Sequence, residues 1–145
     1  MRTAGERLGD ALNLRPLPGE GGRSRETLVG DEDSSILFLL ADGDFSALHR
    51  LQAREEYFFL AGSPLKMLVI DNAGPHEIVL DRQHPSVVVE PGWWQGSSSV
   101  GEWTLVSTTV TPPFVWSIFE LGDRSHLQRE HPGAATRIQQ LTRID

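Results

Sequence analysis

His49, Glu55 and Tyr57, side chains able to move protons, are gathered in one stretch, Gly43 to Gly62, which reads GDFSALHRLQAREEYFFLAG. His49 follows Gly43 after five residues, Glu55 follows Leu51 after three, and Gly62 follows Glu55 after six. Side chains alternate along a strand, so His49 and Leu51 point one way, as do Glu55, Tyr57 and Phe59 on a second strand after a turn through Gln52, Ala53 and Arg54. If that shared face is the inside of a small barrel, an imidazole and a carboxylate converge in an aromatic-walled pocket. An imidazole titrates near neutrality, so His49 oriented by Glu55 can take a proton from carbon or oxygen and return it elsewhere. Tyr57 is the one tyrosine of the chain, and its phenol can donate to an oxyanion or enolate. Gln95 can hold a carbonyl. Arg25 can bind a carboxylate or phosphate, whereas Arg50 alternates with His49 and faces the other side. Of the four tryptophans, Trp94 beside Gln95 and Trp103 after a Ser-Gly loop are the candidates to stack on a flat ligand.

The elements that must position these groups are short strands. Leu8, Ala11 and Leu12 lie on a helical stripe within residues 5–14, and Pro16 and Pro18 end that helix. Gly19, Gly21 and Gly22 make an irregular turn; it lacks the Gly-Lys-Ser/Thr ending of a phosphate loop and is expected to be a plain turn. Strands are expected at Arg25 to Val29, Ser34 to Leu40, on both halves of the His49–Glu55 stretch, and at Leu65 to Ile70. Asp71 to Pro75 has hairpin-turn chemistry and HEIVL answers it. Ser86 to Val89, Trp103 to Val110 and Val115 to Glu120 complete the strands, and residues 123–144 read as one or two short helices. About eight or nine strands at spacings of roughly 8–12 residues, without βαβ alternation, indicate an all-β sandwich or barrel.

Composition removes whole classes of function. A chain of 145 residues is expected to form one domain, residues 1–145. Its formal charge of −7 lacks the basic surface that nucleic acid or an anionic membrane requires. With no cysteine there is no thiolate nucleophile, disulfide or cysteine-ligated zinc. The N-terminus has no apolar core of a signal peptide, and no apolar run reaches the ~20 residues of a membrane helix. A cytoplasmic protein acting on a small molecule is the expectation.

The spacing Gly43, His49, Glu55, Gly62 resembles the first motif of the cupin superfamily, with Leu51 in place of its second histidine. Gly92, Gln95 and Ser99 resemble the second, with Gln95 standing for its histidine, Ser99 for its asparagine and Pro91 one residue late. A wider resemblance, to a little-characterised subfamily of small cupins, runs through Gly21-Gly22, Arg25-Glu26-Thr27, Phe45-Ser46-Ala47, Ala61-Gly62, Trp94-Gln95 and Phe119-Glu120-Leu121. The resemblance implies a single cupin jelly-roll β-barrel with short flanking helices, commonly a homodimer, with the ligand inside. Where the subfamily has Tyr-Phe before Arg-Glu-Thr this chain has Arg23-Ser24, and where an aromatic-His pair follows the glutamate it has Tyr57-Phe58. That implies a specialised substrate.

Metal-binding cupins usually present three histidines and a glutamate. The matching positions here are His49, Leu51, Glu55 and Gln95, and Leu51 cannot ligate. His49, Glu55 and Gln95 would hold a divalent metal only weakly, so no cofactor is expected. His76 and His84 in loops, and His126 and His131 in the terminal helices, are expected at the surface. The expected activity is therefore metal-independent proton transfer on a small carbonyl compound: an isomerase, epimerase or cyclase of specialised metabolism. His49, Glu55 and Tyr57 would be catalytic, with Gln95, Arg25, Phe59, Trp94 and Leu51 around the substrate. The alternatives are a cupin that binds without chemistry and a metal-dependent oxygenase or decarboxylase.

Overall fold

A computed structural model describes residues 1–143 as two antiparallel sheets packed face to face. Helix α1 is Ala4–Ala11, and the strands are β1 Arg15–Pro16, β2 Arg23–Val29, β3 Ser34–Ala41, β4 Phe45–Leu51, β5 Arg54–Gly62 and β6 Leu65–Asp71. They continue as β7 Gly74–Leu80, β8 Ser86–Val89, β9 Trp94–Ser99, β10 Trp103–Thr111 and β11 Phe119–Leu121, followed by α2 Arg124–Glu130 and α3 Ala135–Gln140. One sheet has the order β1-β2-β3-β10-β5-β8 and the other β11-β4-β9-β6-β7, the interleaved order of a jelly roll.

Each sheet is covered on its outer face by a chain terminus. This explains the apolar runs that do not alternate. In β3, Phe38 and Leu40 face the core between the sheets, while Leu37 and Leu39 face outward under Leu8, Leu12 and Leu14 of the N-terminal segment. In β6, Leu65, Met67 and Val69 face inward, and Leu68 and Ile70 pack under Leu127, Ile138 and Leu141 of the C-terminal segment. A strand apolar on both faces is a strand buried on both faces. Helix α1 starts at a full capping box, Thr3 Oγ1 accepting from the Glu6 amide and Glu6 reaching back to the Thr3 amide.

Several expected boundaries shift. β1 and β9 are additional strands. Residues 115–120 are not one strand but a 3₁₀ turn at Trp116–Ile118 leading into β11, because Pro112-Pro113 and the crossing from β10 to the other sheet break the ladder. His76 lies within β7 rather than in a loop, exposed at its outer edge; His84 is in a loop, His126 in α2 and His131 at the end of α2. Of the expected 123–144 helical segment, residue 144 lies outside the described residues. No helix among the described residues is long and apolar enough to cross a membrane.

Candidate functional site

The site is built on a bulge. β4 pairs with β9 through Ser46↔Ser97 and His49↔Gln95, so Ala47 and Leu48 oppose Gly96 alone. The bulge shifts the alternation: Phe45 and Leu48 join the outer cluster, while Ser46 and His49 are buried facing the cavity side. A Cβ at Gly96 would stand 3.1 Å from the Leu48 side chain and its amide, so the close approach calls for glycine. The bulge also leaves the Ala47 carbonyl 2.7 Å from His49 Nδ1. A carbonyl only accepts, so Nδ1 carries a proton and Nε2 is the ring nitrogen left to exchange one. Phe119 of β11 stacks on the imidazole at 5.2 Å with an interplanar angle of 22°.

His49 lines a cavity of about 730 Å³ between the sheets, together with Leu51, Glu55, Tyr57 and Thr108. That volume suits a metabolite-sized ligand. Glu55 and Tyr57 share the inner face of β5, opposite Val110 and Thr108 of β10. Among the described residues no hydrogen bond or salt bridge joins His49 to Glu55; the imidazole is oriented by Ala47 and Phe119 instead. Tyr57 donates its hydroxyl proton to Gln95 Oε1, and Gln95 Nε2 donates to Glu55 Oε1 at 3.1 Å. The phenol proton is thus committed to Gln95, and Tyr57 turns its oxygen lone pairs, not a proton, toward a ligand. Gln95 is buried behind Tyr57 and Glu55 rather than on the cavity wall.

Burial pushes the Glu55 carboxyl up from 4.5 to about 7; the nearby His49 charge opposes this, the negative Glu20 adds to it, and Thr108 and Gln95 beside the carboxylate lower it. The Tyr57 phenol is held well above its ordinary range, first by burial and then by the charges of Glu55 and Glu20. Thr108 lies beside the Glu55 carboxyl, its hydroxyl buried against it.

Other sequence-nominated residues are placed elsewhere. Phe59 follows Tyr57 on the inner face of β5 but packs against the apolar core beyond the cavity. Trp94 is on the outer face, packed under the C-terminal helices with the Arg50 guanidinium 4.5 Å above its ring. Trp103 packs on the outer side near α1. Arg25 pairs with outward-facing Leu37, its Nε donates to the Leu12 carbonyl at 2.9 Å, and it reaches only the cavity rim. Its neighbours Ser24 and Glu26 pair with inward Phe38 and Ile36 and line the mouth, as do Arg15 and Glu20. Thr108, Glu20 and Trp116 carry no spacing that marks them in sequence; Thr108 reaches the cavity through strand pairing, Glu20 from the glycine-rich turn and Trp116 from the strap at 112–118.

The sequence profile described as Cupin superfamily (DUF985) matches residues 6–122. The chain belongs to the cupin superfamily. Among solved structures, a protein from Shewanella oneidensis is similar to this cupin with a TM-score of 0.85 at 29% identity, over 100% of both chains. A hypothetical protein from Leishmania major gives 0.86 at 26% identity, over 99% of this chain and 100% of that one. An oxalate decarboxylase from Lactobacillus farciminis gives 0.63 at 12% identity, over 92% of this chain and 43% of that one, a likeness of fold alone. No curated protein matches the sequence.

The metal that many cupins hold does not fit these side chains. Leu51 offers an alkyl group, the Gln95 amide is spent on Tyr57 and Glu55, and the described residues contain no cluster of three His, Asp or Glu side chains with metal-binding geometry.

Proposed function

We propose that this cupin moves a proton on a small carbonyl compound without a metal, with His49 as general base and Glu55 as its partner acid. The observation that carries this is the Glu55 carboxyl, buried on the wall of the His49 cavity and raised to about 7, so that it holds a transferable proton at neutral pH. His49 Nε2 takes the proton from the carbon next to the carbonyl, and the electron pair moves onto oxygen as Glu55 delivers its own proton there. His49 then gives its proton to another carbon while the enol oxygen returns its proton to Glu55, completing an isomerisation. Protonation of the opposite face by water, with His49 releasing its proton to the hydroxide formed, gives an epimerisation, and attack of the enol carbon on a second carbonyl of the same molecule, whose oxygen takes the His49 proton, gives a cyclisation. Tyr57 and Gln95 position the Glu55 carboxyl, with the Thr108 side chain beside it.

Deuterium uptake tests the first half of this sequence without knowledge of the true substrate. Small cyclic and open-chain ketones incubated in D₂O with the protein should take up deuterium next to the carbonyl, read by proton NMR. His49→Ala and Glu55→Gln are each expected to lower that rate about 10²- to 10⁴-fold, the usual worth of a positioned acid or base. Uptake unchanged in both variants would refute the assignment. Binding of the ketones without uptake in the wild type would favour a cupin that binds without turnover.

A further inference from the structure

After β10 the chain does not turn away from the cavity. Residues 112–118 cross from one sheet to the other over its mouth, tied at one end by the Phe114 amide to Ser34 Oγ at 2.9 Å and at the other by the Gln52 amide to the Ile118 carbonyl at 3.0 Å. The strap carries an aromatic corner. Trp116 meets Phe114 at 5.1 Å and Phe119 at 5.3 Å, both edge to face, and Phe119 lies flat on His49. Phe119 and Phe114 are half-buried, but Trp116 lines the cavity and is 54% exposed. An indole held in place by two neighbouring rings, with much of its surface uncovered at a cavity mouth, is a preorganised stacking surface. Deeper in the cavity the Glu55 carboxyl lines the wall beside Thr108.

We infer that Trp116 is the specificity-determining residue of this site and that it selects a flat, conjugated ring bearing a carbonyl oxygen over a saturated compound of the same size. This names the substrate class of the proton-transfer site and rests on that cavity's being the one the protein uses. The ring enters with its face against Trp116, and its carbonyl reaches inward toward Glu55. Such a compound also suits the chemistry, since conjugation lowers the cost of the enolate that removal of a proton creates.

The test is a matched pair of neutral ketones, 1-tetralone and its saturated counterpart 1-decalone, titrated calorimetrically into the full chain. Both carry one carbonyl on a fused bicycle, so they differ mainly in the flat π face. The wild type is expected to bind 1-tetralone about fivefold to tenfold more tightly, the worth of one aromatic pair. Trp116→Leu should bring the two affinities together, and Trp116→Phe should retain part of the preference. With its side chain 54% exposed, Trp116 can be replaced without emptying the core, which an unchanged melting temperature verifies. Equal affinities in the wild type, or a preference that survives Trp116→Leu, would overturn the inference. Because the readout is binding, it stands or falls separately from deuterium uptake, which reports on His49 and Glu55.

Discussion

Burial keeps the Glu55 carboxyl protonated up to about pH 7, whereas the ordinary value for the residue is 4.5. Between those two values the native chain binds one more proton than the unfolded chain, so stability must fall as pH rises through this window. Glu55→Gln removes the ionisation. It is expected to be more stable than wild type at pH 8 by about 1–3 kcal/mol, with the gap closing toward pH 4.5; urea titrations at pH 5 and pH 8 measure both ends. The same proton is the one delivered to substrate, so turnover should decline as pH rises through about 7, and Glu55→Gln should abolish that limb along with most of the rate. Stability gained and activity lost by one substitution is the mark of a buried acid kept for chemistry. At this scale His49 and Glu55 were legible because fixed spacing between glycines identifies them. The direction of the Tyr57 hydrogen bond was not, since it depends on Gln95, 38 residues later in sequence.

The two glycines that frame the His49–Glu55 stretch carry different burdens although the sequence presents them alike. Gly43 has φ 81° in the turn before β4, and nothing lies within 4 Å of where a Cβ would be. Gly62 has φ 92°, and a Cβ there would come 2.5 Å from the Trp103 carbonyl oxygen and against its ring. Gly43→Ala is therefore expected to cost about 1 kcal/mol from backbone strain alone, and Gly62→Ala more than about 2 kcal/mol because β5 and β10 must also separate. Thermal denaturation of both variants gives the comparison; equal losses would contradict it. Most strands could be placed from alternation and turn chemistry. The strap could not, because Val115 to Glu120 has strand-like composition, and its 3₁₀ turn is set by the crossing between sheets.

Across the whole molecule the cavity is held by both ends of the chain. Arg143 donates to the carbonyls of Gly19, Glu20 and Phe45 and pairs with Asp44 at 3.1 Å, fastening the glycine-rich turn to the start of β4. Glu20 sits on that turn, and its charge helps hold the Glu55 carboxyl high. Arg143→Ala is expected to speed amide exchange at residues 19–22 and, by freeing Glu20, to move the high-pH decline of activity to lower pH. An unmoved decline would show that Glu20 keeps its place without the clamp. The jelly roll itself was legible from strand number, spacing and the glycine-framed motif; the role of the termini was not, since covering a sheet's outer face leaves no local pattern beyond extra leucines.

Strand β10 lies between β3 and β5, pairing Trp103 with Ala41 on one side and Val110 with Glu55 on the other. During synthesis both neighbours are therefore made before the strand that joins them, β5 about forty and β3 about sixty residues earlier. Until Trp103 to Thr111 has left the ribosome, β3 and β5 present open hydrogen-bonding edges flanked by Leu39, Leu40 and Tyr57, a state prone to pairing with other chains. Its docking closes the sheet and at the same moment supplies Thr108 and Val110 to the cavity wall. Ligand affinity should accordingly be absent from every partly folded form and return together with amide protection in β10, which makes binding a direct report of completed folding.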